Sequence, residues 1–217
     1  MAVDFRDEAP AILKDYLIYK QTIKNMSKKT VDEYFIDLRT FFRFLKVMRG
    51  LVPDGTDFDE IKIDDVDLDL IKTVNLELAY DYMNFLYRDR NNKSASRARK
   101  CSSLKGFFKY ITNNKHLLDT NPVEQLESPK NKKALPKYLT LEQSIELLNA
   151  VDGNNKQRDY CILTLFLNCG LRVSEMAGLN YNDIHSDGTM RVVGKGNKER
   201  IVYLNSCLLY TSDAADD

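Results

Sequence analysis

Histidine is scarce in this chain, with two in 217 residues, His116 and His185. The four cysteines, Cys101, Cys161, Cys169 and Cys207, show no Cys-x-x-Cys spacing and have no histidine at a zinc-ligand interval. No zinc site is expected, neither metal nor other cofactor is called for, and a reducing compartment fits. No apolar run reaches the length of about eighteen residues that a membrane-spanning helix needs. The N-terminal MAVDFRDEAP lacks the charged-then-apolar order of a signal peptide, so the chain is read as soluble and cytoplasmic, with no membrane partner. Net charge is absent too: 32 basic residues balance 32 acidic ones, and composition alone does not announce a nucleic-acid binder. There is no internal repeat and no low-complexity tract. What remains is long enough for one large or two small domains with real cores.

The charge that cancels overall is segregated along the chain. From Arg49 to Tyr87 there are ten acidic and three basic residues; from Arg88 to Lys137 there are four acidic and thirteen basic. One face can therefore be strongly cationic while the molecule stays neutral. The acidic stretch is read as a solvated surface.

Apolar periodicity places the helices. Ala9 to Asn25 carries Ile12, Leu13, Tyr16 and Leu17 at helical spacing, and Ser27 and Lys28 break it. Thr30-Val31-Asp32-Glu33 has the form of a capping box. Val31, Tyr34, Phe35, Leu38, Phe41, Phe42, Leu45 and Met48 then keep the i, i+3, i+4, i+7 template, an aromatic stripe read as core. An acidic loop with a short helix near Leu68–Lys72 follows, then a helix over Leu76–Tyr87 with Leu78, Tyr82, Phe85 and Leu86 inward. Ser94 or Ser96 can cap the next helix, whose Leu104, Phe107, Phe108 and Ile111 face inward while Arg97, Arg99, Lys100, Lys105 and Lys109 present cations. Three of the five prolines fall in the basic stretch 121–137, read as an extended linker. Thr140-Leu141-Glu142-Gln143 caps a helix to about Val151 that opens the second domain.

The stretch from Arg158 to Leu204 organises the rest. Cys161–Asn168 reads as a buried helix, with Gly170 where a left-handed terminating residue belongs. Arg172 follows, then Val173–Ala177 as a short helix stopped by Gly178. A guanidinium in a tight helical corner with Glu175 three residues on is costly for stability alone and suits the grip of an anion. Thr189–Val193 and Arg200–Leu204 read as two strands around the glycine-rich, cationic turn 194–199.

Gly-Leu-Arg172-x-Ser-Glu175, followed by a hairpin reading Val-Gly-Lys195-Gly-Asn-Lys-Glu-Arg, resembles the tyrosine recombinase (phage integrase) family, and within it the Xer-type resolvases. Ser27, Thr30, Tyr34, Leu38 and Phe41, and the serine-led basic helix ending in Phe107, Phe108 and Tyr110, resemble that family's amino-terminal core-binding domain. The resemblance implies a mainly α fold: a helical, SAM-like core-binding bundle over 1–118, a basic linker at 119–137, and an incomplete α+β catalytic domain with a β-hairpin over 138–205. It implies duplex DNA as partner, with Thr30, Ser96, Arg97, Arg99, Lys100 and Lys105 as candidate DNA contacts. It further implies other recombinase protomers, since family members act as four protomers on two duplexes.

In that family a tyrosine hydroxyl attacks a scissile phosphodiester to give a 3′-phosphotyrosyl link. Arg172 would be the first arginine of a pair on the non-bridging oxygens, Lys195 the general acid, and Glu175 a supporting residue. A His-x-x-Arg pair, a further His or Trp, and the nucleophile should follow. Three residues after His116 and His185 stand Asp119 and Gly188, and Tyr210 follows the hairpin with no second arginine between. The chain is accordingly expected to be a truncated recombinase, inactive alone, whose residues 206–217 are foreign. The alternative is a non-catalytic DNA-binding or regulatory relative of integrases.

Overall fold

The computed structural model describes residues 8–130, 135–194 and 196–204. Two compact units divide the chain, Met1–Lys133 and Ala134–Asp217.

The first unit is a helical bundle. Its elements are α1 (Ala11–Thr22), α2 (Lys28–Met48), α3 (Leu68–Lys72), α4 (Leu76–Arg88) and α5 (Ser94–Lys109), the last running into a π turn at Tyr110–Asn114. The stripe on α2 buries as its spacing dictates: Val31, Phe35, Leu38, Phe41, Phe42 and Leu45 are each at most 1% exposed. Ring packing joins the helices. Phe42 on α2 meets Phe107 on α5 edge-on at 5.5 Å, and Phe41 meets Tyr82 of α4 at 5.1 Å. α1 lies so close to α5 that a Cβ on Gly106 would come within 2.7 Å of the Tyr16 hydroxyl oxygen, which glycine alone permits.

Three local expectations are corrected. The N-cap of α2 is Ser27, whose hydroxyl accepts from the Thr30 amide, so the helix starts one turn before the Thr30 box. Lys93, with no side-chain cap, precedes α5 in place of Ser94 or Ser96. Within the expected linker, Val123 and Leu126 are buried in the bundle core, 0% and 1% exposed, so the chain stays packed beyond Asn121. Two apolar side chains gain more from that burial than an extended backbone gains from water. The helix Leu68–Lys72 and the inward faces of Leu78, Tyr82 and Leu86 agree with the sequence reading.

The second unit holds α6 (Leu141–Asn149), α7 (Lys156–Cys169), α8 (Val173–Ala177), β1 (Thr189–Val193) and β2 (Glu199–Tyr203). Thr140 and Gln143 form the expected capping box at the start of α6. β1 and β2 pair antiparallel, Val193 opposite Glu199 and Thr189 opposite Tyr203. Gly196 and Asn197 turn the tip with φ of +76° and +58°, and the Gly194 amide donates to the Lys198 carbonyl at 2.7 Å. Among the described residues the core here is small. Leu165, Leu171, Met190 and Val192 are its buried apolar members. α7 is less covered than its apolar run suggests, with only Thr164 and Leu165 buried, and α6 buries none of its residues. Among the described residues no helix is long and apolar enough to cross a membrane.

Candidate anion-binding corner

The corner between α7 and α8 is built by backbone chemistry first. Gly170 ends α7 in the left-handed region (φ +57°), its amide donating to the Phe166 carbonyl. Arg172 then sits extended as the N-cap of α8, and Glu175, three residues on, reaches back to accept from the Arg172 amide at 2.9 Å. That is one half of a capping box; an arginine side chain has no acceptor with which to complete the other.

The Glu175 carboxylate is the centre of charge in this unit. Its side chain is 2% exposed and takes four donors. Arg172 supplies its amide and, through Nη1, a bond to Oε1 at 2.6 Å. Arg200, from β2, supplies both Nη1 to Oε1 and Nη2 to Oε2, each at 2.9 Å, a bidentate fork across 25 residues of sequence. The Arg200 hydrogen bond, followed by the Arg172 amide, holds the Glu175 carboxyl down at about 2, and the same contact raises the Arg200 guanidinium. Gly194 makes the close approach possible: a Cβ there would stand 3.1 Å from Glu175 Oε1 and 3.9 Å from Arg172 Nη1. Arg172 itself is 70% exposed along its side chain, and among the described residues no protein group takes its Nε or Nη2. The corner therefore presents a cationic fork whose partners on one side are fixed and whose other edge faces solvent. Lys195, the expected general acid, lies outside the described residues, as do Tyr210 and the 206–217 stretch.

Sequence reasoning quoted Arg200 in the hairpin motif but gave it no role; strand alternation carries no sign of a contact 25 positions away. It also missed Asp37. This carboxylate is 2% exposed on the apolar stripe of α2 and accepts from Arg99 Nη1 (2.7 Å), Lys100 Nζ (3.1 Å) and the Ser103 hydroxyl (2.8 Å). An acid three residues after Tyr34 and four before Phe41 was the available signal.

The expected DNA contacts of the first unit are consequently not equivalent. Lys100 is buried on Asp37 and Thr40, so its ammonium is not presented to a phosphate. This corrects the expectation of a cation facing outward. Arg99 is 44% exposed but shared between Glu33 and Asp37. Arg97 lies over the Tyr87 ring at 4.7 Å with Nη1 on the Asn92 carbonyl, and Lys105 donates to the Leu126 carbonyl. Thr30 shares a hydrogen bond with Ser27, and Ser96 is half-buried in the first turn of α5. Among the described residues no group of three His, Cys, Asp or Glu side chains could hold a metal ion.

Residues 13–115 match the phage integrase N-terminal SAM-like domain and residues 137–214 the phage integrase family. The chain is 49% identical over 205 residues to the tyrosine recombinase XerC of Caldanaerobacter subterraneus subsp. tengcongensis, covering 94% of this chain and 58% of that protein. The chain belongs to the phage integrase, or tyrosine recombinase, family. Other family members at a greater distance include the tyrosine recombinase XerC of Myxococcus xanthus, 34% identical over 198 residues, covering 90% of this chain and 59% of that protein. The chain thus spans less than two thirds of the length of these recombinases. In fold it is similar to the lambda integrase (75-356) dimer bound to a COC′ core site, with TM-score 0.62 and 18% identity over 93% of this chain and 68% of that one. The XerH site-specific recombinase bound to difH substrate gives TM-score 0.60 and 18% identity over 92% and 53%.

Proposed function

We propose that this chain binds duplex DNA as part of a site-specific tyrosine recombinase, with the Arg172 corner gripping the scissile phosphate. The supporting observation is the open Nε and Nη2 edge of Arg172 beside the buried Glu175 carboxylate. A planar guanidinium matches two non-bridging phosphate oxygens, and its charge counters the extra negative charge of the pentavalent transition state. Glu175 supports this by fixing the Arg172 backbone and one guanidinium nitrogen. Lys195, placed by sequence in the hairpin turn, would protonate the leaving 5′ oxygen. The family reaction also needs a nucleophilic tyrosine, a His-x-x-Arg pair and further protomers, roles to which no residue of this chain is assigned.

In the first unit, Arg97, Arg99 and Lys105 on α5 remain the candidate backbone contacts, with Thr30 and Ser96 beside the starts of their helices. The xerC-named relatives and the DNA-bound structures support this reading over a regulatory module without a phosphate grip. Fluorescence anisotropy of a labelled duplex across a salt series tests it. Affinity should fall by orders of magnitude between about 50 and 200 mM salt, and Arg172→Gln should reduce the log–log slope by about one. Absence of duplex binding at low salt, or an unchanged slope in Arg172→Gln, would overturn it.

A further inference from the structure

Arg172 and Arg200 compete for one carboxylate. With the Arg172 amide on Oε2, Arg172 Nη1 on Oε1 and the Arg200 fork on both oxygens, the Glu175 acceptors are filled. Two guanidinium groups on one carboxylate also leave a unit of positive charge in excess. Take Arg200 away, and the carboxylate has free lone pairs beside a single guanidinium. An arginine and a carboxylate left together favour the two-bond fork, which would spend Nε or Nη2 of Arg172 on Glu175. The present geometry does the opposite, because Arg172 gives Glu175 only Nη1 while Arg200 takes both oxygens.

Building on the phosphate-binding role proposed above, we infer that Arg200 is a positioning residue: by saturating Glu175 it keeps the second edge of Arg172 open for an anion. Arg200 does not touch that anion itself. Each of its terminal nitrogens spends one N–H on Glu175, and its side chain is little more than a third exposed, against 70% for Arg172. The hairpin backbone completes the device. Gly194 leaves room for the Glu175 carboxylate against the hairpin, where the Arg200 fork reaches it from β2.

Duplex affinity of the full chain, measured for Arg200→Met, Arg172→Gln, the Arg172→Gln/Arg200→Met pair and Arg200→Met/Glu175→Gln, tests the inference. Losing a charged hydrogen bond to phosphate corresponds to about a ten-fold loss. Arg200→Met should lose about as much as Arg172→Gln, and the pair should lose no more than Arg172→Gln alone. Adding Glu175→Gln to Arg200→Met should restore part of the affinity, since the neutral amide keeps an oxygen for the Arg172 backbone but no longer captures the guanidinium by charge. A merely structural Arg200 would give no such rescue. Additive losses in the pair, or no rescue by Glu175→Gln, would overturn the inference. Arg200→Lys, whose single ammonium cannot take both oxygens, should fall between wild type and Arg200→Met and serves if the latter fails to fold.

Should the wild-type chain not bind duplex at all, the phosphate-binding role fails, and the positioning claim is decided without DNA. The Arg172 Nε–Hε resonance should then move to a hydrogen-bonded position in Arg200→Met and return in Arg200→Met/Glu175→Gln. An Arg172 signal indifferent to Arg200 would contradict it.

Discussion

The two units of this chain are held together in different ways. In the first, α1, α2, α4 and α5 close over a continuous apolar core in which Tyr16, Tyr82, Phe35, Phe41, Phe42, Phe107 and Phe108 are almost wholly buried. Among the described residues of the second, four buried apolar side chains make up the core, and the Glu175 carboxylate ties the turn, helix and hairpin together. The contrast teaches where chemistry can be built. A fork left open to an anion needs a neighbour that is fixed but not covered, and a small charged centre supplies this where a thick apolar core would bury it.

Breaking the first unit should have the largest effect. Phe107→Ala removes a fully buried ring that packs on Tyr16, Phe42 and Phe108. It should cost about 3–5 kcal/mol in denaturant-induced unfolding of that unit. Asp37→Ala follows at about 3 kcal/mol, because Lys100 is left as a buried charge without its carboxylate. Replacing Lys100 by Met in the same background should recover part of that loss, which separates the unpaired charge from the lost packing.

The second unit should instead be broken by acid. Glu175 is held at about 2 mainly by Arg200, while Arg191 hydrogen bonds lower Asp183 and Thr189 hydrogen bonds lower Asp187. A carboxylate depressed in the folded state stabilises fully above its unfolded value near 4.5 and loses that contribution as pH falls toward about 2. Hairpin signals should therefore weaken across that window, read by NMR at Met190 and Val192. The smallest effect is Ser27→Ala. It removes the hydroxyl that caps α2 and should cost about 1 kcal/mol in the first unit alone.

Legibility in the sequence followed the same division. The α2 stripe, the Leu68–Lys72 turn, the Thr140 box and the Gly170 stop depend on neighbours within a turn or two, and each could be read from spacing. So could the Arg172–Glu175 contact, at i and i+3. What escaped rests on pairs far apart in sequence. Arg200 reaches Glu175 across 25 positions, and Asp37 meets Lys100 and Ser103 across 63 and 66. A lysine read as a surface cation from its polar flank was inside the bundle, because the acid that neutralises it stands on another helix. Capping errored by one turn at α2 for a smaller reason: Ser27 and Thr30 are both hydroxyl residues, and either spacing suits an N-cap.

Amide hydrogen exchange of wild type and Glu175→Ala, which removes both acceptor oxygens, compared at Met190 and Val192 of the hairpin and at Leu104 and Phe107 of the bundle, is the most direct test of this contrast. The predicted result is a marked loss of protection at the two hairpin residues with protection at Leu104 and Phe107 retained. Equal protection of the hairpin in both proteins would contradict the claim that one buried carboxylate organises the second unit.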